Sequence, residues 1–250
     1  MMEIVILGSG TGIPTKRRGS PGLILRNKGK DILIDSGSGT LQKLASAGIP
    51  FEKQEDIFYT HLHPDHCADL VPILFAKRNP DISNSHELNL WGGKGFKNYV
   101  DKLMSIYEKW IVPENYRLNV YEIGDPVELG PFKFVPIPVM HIESSIGFRI
   151  EVEGNKRIFI SGDTDYCEKL IEGALEVDLA ILECSYPDER KIQGHLTPRL
   201  AAEVARMAKC KRVLLWHFYP ICDQYDIGSR CRDLFDCEVI MAEDLMHIFI

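Results

Sequence analysis

The stretch YTHLHPDHCADL, residues 59–70, packs His61, His63, Asp65 and His66 into six consecutive positions directly after the apolar run ending at Thr60. Alternate residues of a strand share a face, so His61 and His63 point to one side. The turn at Pro64 then swings Asp65 and His66 into a neighbouring position. Three imidazoles and a carboxylate this close are costly to bury without compensation. Imidazole nitrogen and carboxylate oxygen are ordinary Zn²⁺ ligands, and one metal pair would satisfy all four. The alternative is a surface turn rich in histidine, which requires four ligand-type residues to coincide at a strand end.

Four residues cannot close two metal sites, so further ligands are expected downstream at other strand ends. His141 follows VPIPVM, Asp163 follows IFISG, and His217 follows VLLW. A lone histidine after an apolar strand is more often a satisfied core residue, but the repetition together with the first cluster favours ligands. Asp35, in LIDSG, reads either as a support for the ligand loop or as a turn former.

The order H-x-H-x-D-H, then His, Asp and His, resembles the metallo-β-lactamase fold superfamily over nearly the whole chain. That resemblance implies an α/β fold: a four-layer αβ/βα sandwich of two mixed β-sheets flanked by helices, with a dinuclear site along one edge. By the family's arrangement His61, His63 and His141 hold the first metal, Asp65, His66 and His217 the second, and Asp163 bridges them. Asp35 matches the family's strand-end acid, which supports ligands from behind. The absence of cysteine from the set makes zinc the default, with Mn²⁺ or Fe²⁺ as alternatives. His63 stands where flavin-partnered di-iron members carry glutamate, which argues against a redox role.

LGSGTGIP at the start, SGDTDY around Asp163, LECSYP and GHLTP together resemble the ribonuclease Z branch. In that branch a histidine matching His195 donates a proton and an acid matching Glu183 orients it; here the glutamate is kept and its neighbours differ. His195 also reads as a residue before a helix that Thr197 caps and Pro198 opens. The resemblance implies metal-assisted hydrolysis of a phosphodiester, with Asp65 accepting a proton from the attacking water and His195 protonating the leaving alkoxide.

The first strand runs into glycines at positions 8, 10 and 12, yet neither the dinucleotide fingerprint nor a P-loop fits them, because Ile13 and Pro14 stand in the way. They read as turn residues. The cations after them, Lys16, Arg17 and Arg18, match a branch loop that meets the RNA 3′ end, until Gly19 replaces the usual asparagine. They are the candidate substrate contacts.

With 250 residues, 45% of them hydrophobic, the chain suits one domain over residues 1–250, two small ones being the alternative. A net charge of −7 argues against an undirected nucleic-acid binder. No leader or membrane span is apparent, which reads as cytoplasmic. The seven cysteines include no Cys-x-x-Cys pair, so they read as reduced; Cys67 and Cys184 read as space-filling residues. β-type runs recur along the whole length, with helical periodicity at 40–47, 66–77, 94–110, 166–175, 198–209 and 229–235. The aromatics between Trp91 and Tyr121 read either as a wall over a site or as helix packing.

Family members that process tRNA carry a long arm between the residues matching His141 and Asp163; here the interval has room for a hairpin only. A small phosphodiester or related ester is therefore the expected substrate, with tRNA 3′ processing as the alternative. Lactone or thioester hydrolysis and an inactive metal-binding module are further alternatives. RNA is not favoured as a partner, and related enzymes are commonly homodimers.

Overall fold

The computed structural model describes residues 2–82 and 86–250. Its strands are β1 (Glu3–Gly8), β2 (Gly22–Asn27), β3 (Lys30–Ile34), β4 (Asp56–Phe58), β5 (Glu87–Gly92), β6 (Arg117–Glu122), β7 (Val127–Leu129), β8 (Phe132–Pro138), β9 (Ile146–Val152), β10 (Lys156–Ile160), β11 (Leu179–Glu183), β12 (Arg212–Trp216), β13 (Glu238–Met241) and β14 (His247–Phe249). The helices are α1 (Thr40–Ser46), α2 (Pro64–Cys67), α3 (Leu70–Lys77), α4 (Phe96–Tyr107), α5 (Glu168–Gly173), α6 (Pro198–Met207) and α7 (Ile227–Arg232). One seven-stranded sheet has the order β14-β1-β2-β3-β4-β5-β6, the other β13-β12-β11-β10-β9-β8-β7. Both are mixed, as expected: β1 to β3 and β7 to β10 pair antiparallel, while β3 to β6 and β10 to β13 run parallel.

Strands covered on both faces need apolar residues at every position, and β1 has them. Ile4 and Ile6 join the core between the sheets, whereas Val5 and Leu7 join a second core under α1, α3 and α4. The sheets lock through aromatic contacts: Phe58 of β4 stacks on Phe134 of β8 with ring centroids 4.1 Å apart. Between Trp91 and Tyr121 helix packing prevails, because Phe96 and Tyr116 are buried and Trp91 stacks on Tyr121 at 4.2 Å.

The helix expected over 66–77 is two helices. Asp69 leaves the helical ladder, its N–H donating to Ser36 O, and its carboxylate accepts from the N–H groups of Gly39 and Leu41 at 3.0 and 2.8 Å. It thereby caps α1, whose own N-cap residue is a glycine without a side chain to offer. α6 begins as expected, with Pro198 in its first turn and Thr197 Oγ1 accepting from Leu200 N. β7, only three residues long, is absent from the sequence reading. Among the described residues no helix is long and apolar enough to cross a membrane.

Candidate metal centre

Every expected ligand follows the end of a strand or opens the turn after it. His61 and His63 follow β4, Asp65 and His66 lie on α2, and His141, Asp163 and His217 follow β8, β10 and β12. The fold brings them together. Ligand atoms of His61, His63, His141 and Asp163 form one group within 4.8 Å, Asp65, His66 and His217 a second, and Asp163, His195 and His217 a third. Asp163 faces both main groups with different oxygens. Its Oδ2 lies 3.8 Å from Nε2 of His61 and of His141, and its Oδ1 lies 3.3 and 3.4 Å from Nε2 of His66 and His217.

Hydrogen bonds on the far side of each ring decide where the imidazole lone pairs point. Thr60 Oγ1 donates its only hydrogen to Asp35 Oδ2 at 2.9 Å, so it accepts from His61 Nδ1 at 3.0 Å. Asp35 Oδ2 also accepts from His66 Nδ1 at 2.8 Å. Ser185 Oγ donates to Glu183 Oε2 at 2.6 Å and therefore accepts from His217 Nδ1 at 2.9 Å. Gly194 O can only accept, and it does so from His141 Nδ1 at 2.9 Å. The Nδ1–H groups of four rings are thus engaged on the outside, and their Nε2 atoms converge inside.

That convergence is unfavourable without a cation. Nε2 of His66 and of His217 face each other at 3.2 Å, and Nε2 of His141 faces Nδ1 of His63 at 3.1 Å. His61 Nε2 and Asp163 Oδ1 are buried without a hydrogen-bond partner. Orphaned acceptors meeting at one point are the donor set of a metal site, and the residues present fit two divalent ions. The local charges are those of a pocket that attracts positive charge. Burial pushes His66 down, yet Asp163 and Asp35 outweigh it and hold the ring well above its ordinary value. Burial likewise pushes Asp163 and Asp65 up, but His217 and His66 keep both well below the usual carboxylate range. Burial, helped by the neighbouring His66, lowers His61 well below its ordinary value although Asp163 opposes it.

His195 borders this centre, with Nδ1 2.9 Å from Oε1 of Glu183, a carboxylate with 0% exposure. Burial pushes His195 down, but the hydrogen bond and charge of Glu183 prevail and raise it. Glu183 also accepts from Thr164 N and Ser185 N, so one buried carboxylate orients both His195 and, through Ser185, His217. Thr60, Ser185 and Gly194 have no assigned role in the sequence reading, although Thr60 ends the run before His61 and Ser185 and Gly194 stand within LECSYP and GHLTP.

The opening glycine turn has a function beyond turning: Gly12 N donates to Asp65 Oδ2 at 2.9 Å, and a Cβ there would meet Asp65 Cβ at 3.3 Å. Of the three expected substrate cations, Lys16 and Arg17 are exposed. Arg18 is turned inward. Its guanidinium donates to Ala242 O and Ser9 Oγ at 2.5 and 3.0 Å and lies over the Phe218 ring at 4.5 Å. Of the three, only Lys16 and Arg17 present their charge at the surface. Cys67 and Cys184 are buried, as space-filling requires.

The profile of the "Beta-lactamase superfamily domain" matches residues 30–218, from β3 to just past the last candidate ligand. The chain belongs to the β-lactamase superfamily. Among superfamily relatives, ribonuclease Z of Methanothermobacter thermautotrophicus is 30% identical over 303 residues, covering 99% of this chain and 96% of that protein. The probable metallo-hydrolase YhfI of Bacillus subtilis is 25% identical over 246 residues, covering 97% of each. The crystal structure of YhfI has the same fold, with a TM-score of 0.87 at 23% identity over 99% of this chain and 98% of that one. Human tRNase Z, short form, also shares it, with a TM-score of 0.76 at 24% identity over 99% of each.

Proposed function

We propose that this protein is a dinuclear-metal-dependent hydrolase of the ribonuclease Z-like type that cleaves small phosphodiesters. The carrying observation is the juxtaposition of a convergent two-group donor set with the His195–Glu183 pair, because phosphodiester cleavage needs both cations and a proton for the leaving oxygen. His61, His63 and His141 would hold one ion and Asp65, His66 and His217 the other, with Asp163 offering an oxygen to each group. When bound, such a pair polarises the phosphoryl group and lowers the pKa of a water. The nitrogen and oxygen donors suit zinc first, with manganese and iron as competitors.

This chain's residues do the rest. Asp65, ionised throughout the neutral range and fixed by Gly12 N–H, orients the attacking water and accepts its proton. His195 commits Nδ1–H to Glu183, which leaves Nε2 free to deliver a proton to the departing alkoxide. Lys16 and Arg17 lie at the surface of the loop that carries Gly12 and meet an anionic substrate. A cytoplasmic location is part of this reading, supported by seven cysteines with neither a Cys-x-x-Cys pair nor a disulfide.

Two observations favour a small substrate over tRNA. The stretch from His141 to Asp163 is spent on β9 and β10, joined by the short turn at Glu153-Gly154-Asn155. The alignment with ribonuclease Z runs over 303 residues, so that relative carries segments missing from this chain of 250, whereas YhfI matches it over 246. tRNA 3′ processing is the second reading, favoured by the name of the first relative.

The test is metal content followed by turnover of the same preparation on bis(p-nitrophenyl) phosphate, cyclic nucleotides, precursor tRNA and a lactone panel. Metal-dependent cleavage of the small diesters is expected. Efficient cutting at a tRNA 3′ end would replace the preferred substrate, preference for lactones would replace the reaction class, and full metal with no turnover would make the protein a binding module.

A further inference from the structure

The segment that carries His195 is sewn to the metal-ligand loops by one carboxylate that the mechanism does not use. Asp165 Oδ2 accepts from Gly194 N at 2.8 Å and from Lys191 Nζ at 2.8 Å. Asp165 Oδ1 accepts from Tyr166 N at 2.8 Å, which fixes the carboxylate plane. The backbone of Asp165 is held as well, its N–H donating to Met140 O at 2.7 Å in an isolated antiparallel bridge.

Gly194 is the other half of the joint. Its φ is +88°, and a Cβ there would stand 3.0 Å from His141 Nδ1. Glycine adopts that backbone without strain and leaves the ring its space. Both polar groups of Gly194 are consumed, the N–H by Asp165 and the C=O by His141 Nδ1. The position of His195, the next residue, is therefore referenced to two loops at once, one holding Asp163 and one holding His141.

We propose that Asp165, assisted by Lys191, is a positioning residue that sets the registration of His195 over the metal centre. The inference rests on the proton-donor role proposed above for His195. It follows from geometry: Glu183 fixes the direction of the ring, whereas Asp165 fixes the height of the main chain from which the ring hangs. A misplacement of about 1 Å in a reacting group costs on the order of 100-fold. Loosening this joint should thus be felt where a proton must be delivered and little where it need not be.

The experiment uses the metal-loaded full chain and two substrates. Bis(p-nitrophenyl) phosphate releases an aryl oxide that departs unaided, while a dinucleoside phosphate releases an alkoxide that needs a proton. Asp165→Ala is expected to slow the dinucleoside phosphate by about tenfold or more and the aryl diester far less, with metal content retained. Asp165→Asn, which keeps an acceptor for Gly194 N–H, should recover part of the loss. Lys191→Met keeps Asp165 intact and should shift the same ratio to a smaller extent, so the question stays answerable if Asp165→Ala folds poorly. In a His195→Ala background, Asp165→Ala should add no further slowing on the dinucleoside phosphate, because the two residues act as one unit. Equal slowing of both substrates by Asp165→Ala, or the same additional factor in the His195→Ala background, would overturn the positioning role alone. Equal slowing of both substrates by His195→Ala itself would remove the donor on which the inference rests.

Discussion

Glu183 Oε1 and His195 Nδ1 are 2.9 Å apart at the margin of a donor set that already contains two carboxylates and five histidines, and Glu183 is wholly buried. The pairing fixes the tautomer of His195 and favours its protonated form. His195→Ala should therefore keep the metal and slow an alkyl phosphodiester by about 10²–10⁴-fold, with a smaller effect on aryl diesters. Glu183→Gln should follow the same pattern. Steady-state rates on the two leaving groups, alongside metal analysis, check this.

Asp35 lies outside the donor groups, yet it accepts hydrogen bonds from Thr60 N, Thr60 Oγ1 and His66 Nδ1. Asp35→Asn should release the orientation of His61 and His66 together. Metal affinity is expected to fall by about 10–100-fold, read by competition with a chelator of known affinity.

Lys77 is fully buried in α3, with Nζ donating to Glu52 O at 2.8 Å, and burial pushes its ammonium down to about 8. Above that pH the folded chain has released a proton that the unfolded chain still holds. The Lys77 contribution to stability therefore rises with pH from about 8 toward the ordinary lysine value and is lost as pH falls through about 8. Urea midpoints of wild type and Lys77→Met, compared across pH 7.5–9.5 (a window of about two units around that value), should diverge in slope in this sense.

Arg17 and Arg18 are neighbours with opposite surroundings. Arg18→Ala should destabilise the fold by about 1–3 kcal/mol, because Ala242 O and Ser9 Oγ lose a buried donor. Lys16→Ala with Arg17→Ala should leave stability unchanged, raise KM for anionic substrates and weaken the salt dependence of kcat/KM. Melting temperatures and rates at two ionic strengths separate these outcomes.

The ligand residues were legible because each stands just after an apolar run, and strand ends are where a sheet gathers side chains. The opening of α6 was legible from Thr197 and Pro198 for a similarly local reason. What escaped depends on partners distant in sequence. Asp69, at the break in a periodic helix, caps α1 through Gly39 N and Leu41 N, and Ser185 matters because β11 and β12 set it between Glu183 and His217. Arg18 looked like its neighbours in LGSGTGIPTKRRGSPG, and its burial under Ala242 is decided by the return of the C-terminal chain to β1. Asp65 and Gly12 illustrate the same limit: a turn glycine becomes a ligand support only once the loops meet.

The central claim is that His61, His63, Asp65, His66, His141, Asp163 and His217 form one two-ion site on which hydrolysis depends. Metal stoichiometry of the purified chain and of Asp163→Ala, measured with bis(p-nitrophenyl) phosphate turnover on the same samples, tests it most directly. The account predicts about two divalent ions per chain, loss of both metal and turnover in the variant, and loss and restoration of wild-type turnover with chelation and reloading. Undiminished turnover by a chelated, metal-free chain, or full metal binding by Asp163→Ala, would contradict it.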